Sequence, residues 1–360
     1  MTSSSPVESA SFYETRYIAP PTEELRPDSA QQLCAAIDEA EGAQKDWSIV
    51  GDGQHVAGSR REGQWSAIRT DGLDDLVELD KKSGLVRVQA GIRWRDLQEK
   101  LLARGFSTQR YGLHPASATV GGMLARRRPG PPLLRGGELL DGCVAIGAHS
   151  PQLGEYRYLV APRKASGPDL RHEFIGTGGG QGAIVDATLV VWRPVAERLL
   201  RYRNCSLAEA RDIVAALYGA EITPSCLYYS HRGQSLQLIL SAPGQLLRSR
   251  VKWLGDHLRS PDESGDADEA RTRRAWLEAR HPDRRAAPGA DRTRAYWLTS
   301  SAFDHNSDEL FGHGVEEIEI TSWTLRRAVA FVRYETRDQA LTTHQPPRRT
   351  CWAHWPLVQQ

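Results

Sequence analysis

Residues 49–58 read IVGDGQHVAG: an apolar lead-in, then glycine at 51, 53 and 58. That density of glycine ends any strand or helix, because a residue without Cβ has no bias toward regular backbone. It also lets another chemical group approach the main chain closely, so a strand running into this loop has the pattern of a binding loop. Two more clusters follow, ATVGGMLA at 118–125 and GTGGGQGAI at 176–184. Any one of them by itself reads better as a tight turn. Three in this order, each beside a strand or helix candidate, point to loops whose N–H groups converge on a phosphate-bearing cofactor. None is a Walker loop, since GxxxxGK[ST] is absent. GTGGGQGA fits GxGxxG only loosely, with no βαβ unit and acidic residue behind it.

Outward from the first loop, RPDSAQQLCAAIDEAEG (26–42) predicts a helix capped near Asp28 or Ser29, with Leu33, Ala36 and Ile37 on one face. DWSIVG is the strand that enters the loop. DDLVELD and GLVRVQAG are strands around a turn at KKSG, and IRWRDLQEKLLARG is an amphipathic helix with Gly105 at its C-terminal end. CVAIGAHS and EYRYLVAP lead to the third cluster. Beyond Arg193 the order is strand (198–205), helix (206–219), two strands (224–231 and 234–242) and helix (244–258). Ser206 with Glu209 forms a capping-box pattern, and the β-α-β-β-α order predicts a split, ferredoxin-like second domain. Residues 259–295 are polar and charge-dense and read, one short helix aside, as a solvated excursion. VEEIEITSW alternates as a strand, TLRRAVAFVRYE (324–335) reads as a helix, and the two tryptophans of the tail predict that it docks on the body.

The chain has 360 residues, 40% apolar and 25% charged, with a formal net charge of +1. This balance gives no reason to expect nucleic acid or an anionic membrane as partner. Five cysteines without a CxxC pair read as reduced thiols. No N-terminal apolar core and no run of membrane-spanning length stand out, so a cytoplasmic location is expected.

As a set, five stretches resemble the vanillyl-alcohol oxidase / p-cresol methylhydroxylase (PCMH-type) flavoproteins, in that family's order. They are RPDSAQQL, VGDGQHVAG, LVRVQAGIRWRDLQEKLLARG, PASATVGGMLARRRPG and APRKASGPDLRHEFIGTGGGQGAIVDATLVVW. The last is most similar to the branch of alkyl-dihydroxyacetone-phosphate synthase and the glycolate and lactate oxidoreductases. The resemblance covers residues 20–195 and implies an α+β fold: a two-lobed FAD-binding domain over 19–195, then a substrate (cap) domain over 196–338. Residues 1–18 are expected to be frayed, and 339–360 to be a tail that returns to the body, with the FAD domain one place for it.

Carried over residue by residue, the resemblance implies that Gly51, Asp52, Gly53, Gln54, His55 and Gly58 wrap the FAD pyrophosphate through backbone N–H groups. Thr119, Gly121 and Gly122 would line its other side. Gly179, Gly182, Ile184 and Val185 would border the ribityl–adenine portion. Many members carry Gly-x-Gly-His-Ser in the first loop, with the histidine bonded to the flavin. Here Gln54 holds that position and His55 stands in place of the serine, so noncovalent FAD is expected. His114 and Tyr228 are the candidates for a catalytic base, with Tyr111 a weaker one; each also has a plain structural reading as a packed or hydrogen-bonded residue. The arginines at 126–128 read as a solvated or phosphate-facing loop.

The C-terminal histidines (305, 313, 344 and 354) stand singly, without the histidine run of the synthase branch or any HxH or HExxH spacing. The synthase reaction is therefore not expected, nor is a metal. The implied function is FAD-dependent oxidation of a small hydroxylated substrate, a hydroxy acid or sugar-like alcohol, with an unidentified electron acceptor. The alternative is a catalytically silent flavin-binding subunit that pairs with a second flavoprotein.

Overall fold

The computed structural model describes residues 21–53, 64–108, 118–126, 139–157, 160, 169–267, 293–299, 315–323, 327–334 and 351–353. Its first lobe holds β1 (Glu23–Leu25), α1 (Ala30–Gly42), β2 (Trp47–Val50) and β3 (Ser66–Arg69). The three strands form a parallel sheet in the order β1-β3-β2. The Ser29 hydroxyl starts α1 by accepting the Gln32 N–H at 3.3 Å. Leu33, Ala36, Ile37 and Ala40, spaced three and four apart, pack from α1 against Ile68 and Leu73.

The second lobe holds β4 (Leu76–Asp80), β5 (Leu85–Gln89), α2 (Trp94–Leu102), α3 (Val120–Arg126), α4 (Leu139–Gly142), β6 (Cys143–Ser150), β7 (Gly154–Arg157) and β8 (Ala183–Val190). Its antiparallel sheet runs β4-β5-β8-β6-β7. Trp94, Leu97 and Leu101 bury one side of α2 beneath it. Gly105, at φ +76°, turns the chain just past the helix. β8 joins the lobes: Ala183 and Val185 enter the α1 core, while Ile184, Ala187 and Leu189 enter the second. A strand covered on both faces has no solvent side to mark with polar residues, hence the near-continuous apolar run AIVDATLV.

The third sheet starts with β9 (Ala196–Tyr202), α5 (Leu207–Gly219), β10 (Cys226–Ser230), β11 (Ser235–Ala242), α6 (Gly244–His257) and β12 (Glu263–Gly265). Four further strands follow, β13 (Thr293–Thr299), β14 (Val315–Trp323), β15 (Arg327–Tyr334) and β16 (Cys351–Ala353). The order is β12-β9-β11-β10-β14-β15-β13-β16, all antiparallel. Leu200, Leu227, Leu236, Leu238 and Leu240 sit under α5 and α6 at 1% exposure or less. Each such burial contributes roughly 2 kcal/mol.

Three expectations change here. Residues 327–334 are a strand, not a helix: RAVAFVRY carries β-branched and aromatic residues, and pairing with β14 on one side and β13 on the other overrides its helical periodicity. Glu263–Gly265, inside the supposed excursion, is an edge strand paired with β9, and β13 begins at Thr293. The described part of the tail, Cys351–Ala353, lies against the body by pairing with β13 of the third sheet. At the α5 N-terminus only half of the capping box forms. Ser206 Oγ accepts the Glu209 N–H at 3.2 Å, while the Glu209 carboxylate takes a 3.0 Å bond from Arg259.

Candidate functional site

The two lobes meet where β2, β5 and β8 end or begin and α3 starts. A lattice of backbone hydrogen bonds closes this junction. Ala90 N–H donates to Val185 O (2.9 Å), Gly121 N–H to Ala90 O (2.7 Å), Val120 N–H to Ile92 O (3.0 Å) and Trp94 N–H to Ala118 O (2.8 Å). Arg93 bridges Thr119 as an isolated β-pair and holds its guanidinium 3.9 Å from the Asp52 carboxylate.

Glycine is required at this junction because atoms occupy the space a Cβ would fill. At Gly51 the Thr119 hydroxyl stands there, so the first and second glycine loops are in contact. At Gly121 a Cβ would lie 2.7 Å from Ala90 Cβ, and at Gly182 it would strike the His149 carbonyl. Gly53, Gly179 and Gly182 have φ of +68°, +86° and +141°, a backbone open to few other residues. The third cluster also terminates α3, with Gly176 N–H donating to Leu124 O (3.1 Å) and Gly178 N–H to Ala125 O (2.8 Å). An ideal Cβ on Gly179 falls 3.8 Å from Ile49 at the end of β2, which brings this loop beside the first.

The structure thus gathers Gly51, Asp52, Gly53, Thr119, Gly121, Gly122, Gly179 and Gly182 at one junction, with Ile184 and Val185 on the strand behind. The N–H groups of Gly121 and Gly122 are already engaged, the latter by Thr119 Oγ1 at 3.2 Å. What the missing Cβ atoms of these two glycines permit is the close packing of Ala90 and Thr119 against them. The β6–β8 register skips Val185, a bulge that turns its carbonyl to Ala90. Gln54, His55, Gly58, Tyr111 and His114 lie outside the described residues, as do Arg127 and Arg128. Tyr228 is elsewhere, on β10 of the third sheet, 4% exposed.

Two supports were not read from the sequence. Gly91 donates its N–H to Leu73 O at 2.9 Å, and a Cβ there would overlap the Thr70 carbonyl, so this glycine lets β5 cross the end of β3. Its single-glycine context in QAGIR gave no signal beyond a turn. Arg171 pins the approach to the third loop. It pairs with Asp169 (2.5 Å) and donates to the Cys143 carbonyl, and its guanidinium holds the Asp169 carboxyl below the usual carboxylate range. Burial pushes the neighbouring Cys143 thiol up to about 12, which makes it a packing residue and not a nucleophile.

A protein-family model described as an FAD binding domain matches residues 21–151, the span that contains the first two glycine loops and the strands and helices around them. Residues 21–151 are an FAD binding domain. The chain is 28% identical over 128 residues to an alkyldihydroxyacetonephosphate synthase of Caenorhabditis elegans, covering 35% of this chain and 21% of that protein. It is 25% identical over 163 residues to the uncharacterized FAD-linked oxidoreductase YgcU of Escherichia coli K12, covering 41% and 34%. The chain therefore spans about a fifth to about a third of these relatives' length. A solved alkyldihydroxyacetonephosphate synthase superposes over 89% of this chain and 70% of its own with a TM-score of 0.70 at 13% identity, which establishes the shared mixed helix-and-sheet fold.

FAD is the cofactor of this domain, and the junction fits it. Three glycine-bearing segments, the first and third with positive φ, meet beside the N-terminus of α3, where small residues let an extended anionic group lie against the main chain. When bound, FAD supplies hydride acceptance, and the protein's part is to hold and shield it. Among the described residues no helix is long and apolar enough to cross a membrane.

Proposed function

We propose that the protein is an FAD-dependent oxidoreductase that takes a hydride from the carbon of a small hydroxylated substrate, a hydroxy acid or sugar-like alcohol. The observation that carries this reading is the contact of the Gly51 loop with Thr119 inside the FAD binding domain, with the third glycine loop beside them. The similarity to the uncharacterized FAD-linked oxidoreductase YgcU supports it. Gly51, Asp52, Gly53, Gln54, His55 and Gly58 hold the pyrophosphate, Thr119, Gly121 and Gly122 face it, and Gly179, Gly182, Ile184 and Val185 border the ribityl–adenine part. The bond to FAD is noncovalent, since Gln54 stands where a linking histidine would be.

In the same reading, residues 196–338 form the substrate domain, with the strand order β12-β9-β11-β10 and its two helices making a ferredoxin-like unit. The substrate hydroxyl gives up its proton to a nearby base, for which His114 and Tyr228 are the candidates. The location is cytoplasmic and the electron acceptor a separate molecule. One sequence observation favours a second reading. The C-terminal histidines stand singly, as expected of a flavin-binding subunit that leaves the chemistry to a partner flavoprotein.

The visible spectrum of the purified protein, before and after acid precipitation, tests the cofactor assignment. Yellow colour released to the supernatant is expected. Colour that stays in the pellet refutes noncovalent binding, and a colourless protein that FAD does not reconstitute refutes the whole assignment. Anaerobic bleaching of the bound flavin by hydroxy acids or polyols then separates the enzyme from the silent subunit.

A further inference from the structure

Four buried side-chain polar atoms lack a hydrogen-bond partner among the described residues: Trp94 Nε1, His149 Nδ1, Tyr202 OH and Gln237 Oε1. Trp94 and Tyr202 belong to packed cores beneath helices, and His149 already bonds Asp38 through Nε2 at 2.8 Å. Gln237 differs in where it points. Its neighbours on β11, Leu236 and Leu238, enter the core under α5 and α6, so by the two-residue alternation of a strand Gln237 projects from the opposite face.

On that face the ladder places four residues in one row across four strands: Tyr228 opposite Gln237, Gln237 opposite Arg201, Arg201 opposite Glu263. Arg201 turns to Glu263 at 3.1 Å and leaves the amide. The adjoining row, Cys226, Ile239 and Leu199, is apolar, with Ile239 and Leu199 at 1% exposure or less. A carboxamide oxygen held between an apolar row and a buried tyrosine is a desolvated acceptor. Leaving such an acceptor unmet destabilises the fold by an amount comparable to a lost hydrogen bond. Turning the amide over would put an equally unmet N–H in the same place.

We propose that Gln237 is a substrate-binding residue, its carboxamide taking a hydrogen bond from a hydroxyl of the substrate, with Tyr228 beside it as the wall of the same site. This rests on the oxidoreductase reading above and deepens it. The sheet face away from α5 and α6 reads the hydroxyl groups of the substrate, and Gln237 sets the preference for a substrate with a hydroxyl over its deoxy analogue. A site built around a buried acceptor rejects the ligand that cannot fill it.

The test compares the FAD-loaded wild type with Gln237→Met, a variant of similar shape without the amide. Each is titrated anaerobically with a panel of short 2-hydroxy acids and polyols, following flavin bleaching, and each is melted with and without those compounds. The expected result is a half-saturating concentration raised about tenfold, the loss of one hydrogen bond. The limiting bleaching rate should change far less, and the melting temperature without ligand should stay level or rise. Wild-type and variant titrations that coincide overturn the proposal and leave the oxidoreductase reading standing. A variant that melts well below wild type also overturns it, because Gln237 is then a structural residue. A wild-type flavin that no compound in the panel bleaches overturns the proposal together with the reading it rests on.

Discussion

The lobe junction and the third sheet bury polarity in opposite ways. At the junction glycines bring main-chain polar groups together, beside buried side chains such as Thr119 and His149. Gly91 and Gly182 each press against a backbone carbonyl that a side chain would strike, and Gly121 presses against the Ala90 Cβ. In the third sheet the buried polar groups are side chains, Gln237 Oε1 and Tyr202 OH among them, on strands with regular backbone. The difference separates two tasks. A cofactor common to many proteins is held by backbone, which any sequence supplies once glycine permits the approach. A substrate particular to one protein is read by side chains, which change without altering the fold.

The strongest attempt to break this contrast is Gly91→Ala. Its Cβ would overlap the Thr70 carbonyl and come 2.8 Å from Leu73 O, two backbone atoms that cannot swing away. A loss of roughly 3 kcal/mol in urea unfolding is expected, with loss of bound flavin. Gly121→Ala meets Ala90 Cβ at 2.7 Å and should cost about 2 kcal/mol, with a fall in flavin content per mole of protein larger than the fall in stability alone explains. In the third sheet Ser206→Ala removes the one hydroxyl that caps α5, a loss of about 1 kcal/mol measured the same way.

Tyr202→Phe is the smallest and has the opposite sign. The hydroxyl it removes is buried and unpartnered, so stability at neutral pH should stay level or rise by up to about 1 kcal/mol. The same residue contributes to an alkaline limb. Burial raises Tyr202 to about 12, Cys143 to about 12 and Cys205 to about 11, each above its unfolded value. The neutral forms are favoured in the fold, so their stabilisation is complete below the unfolded thiol value, near pH 8.5, and is lost as pH rises toward 11 and 12. Thermal melts from pH 8 to 11 should fall continuously, and less steeply in Tyr202→Phe. A flat profile would show that these groups are not desolvated in solution.

Much of the junction was legible from the chain. The glycine spacing in GDGQH, TVGG and GTGGGQG named its loops, and the strands and helices between them were visible in periodicities of two and of 3.6. Gly91 was not legible, because a lone glycine looks the same whether it faces solvent or a carbonyl. β15 was misread as a helix because RAVAFVRY satisfies both periodicities over eight residues, and only its two pairing partners choose between them. Gln237 had no signal at all, since one polar residue in an alternating strand is the ordinary pattern of a half-covered sheet.

The sequence by itself determined local geometry: the three glycine loops, a helix start near Ser29 and another at Ser206. The tertiary structure alone decided what lies across from each residue. Contact between Gly51 and Thr119, the row from Tyr228 to Glu263, and the strand state of 327–334 all depend on segments distant in the chain. Backbone torsion preference is a property of single residues and their neighbours, whereas opposition across a sheet or a lobe junction exists only once the chain has folded back on itself.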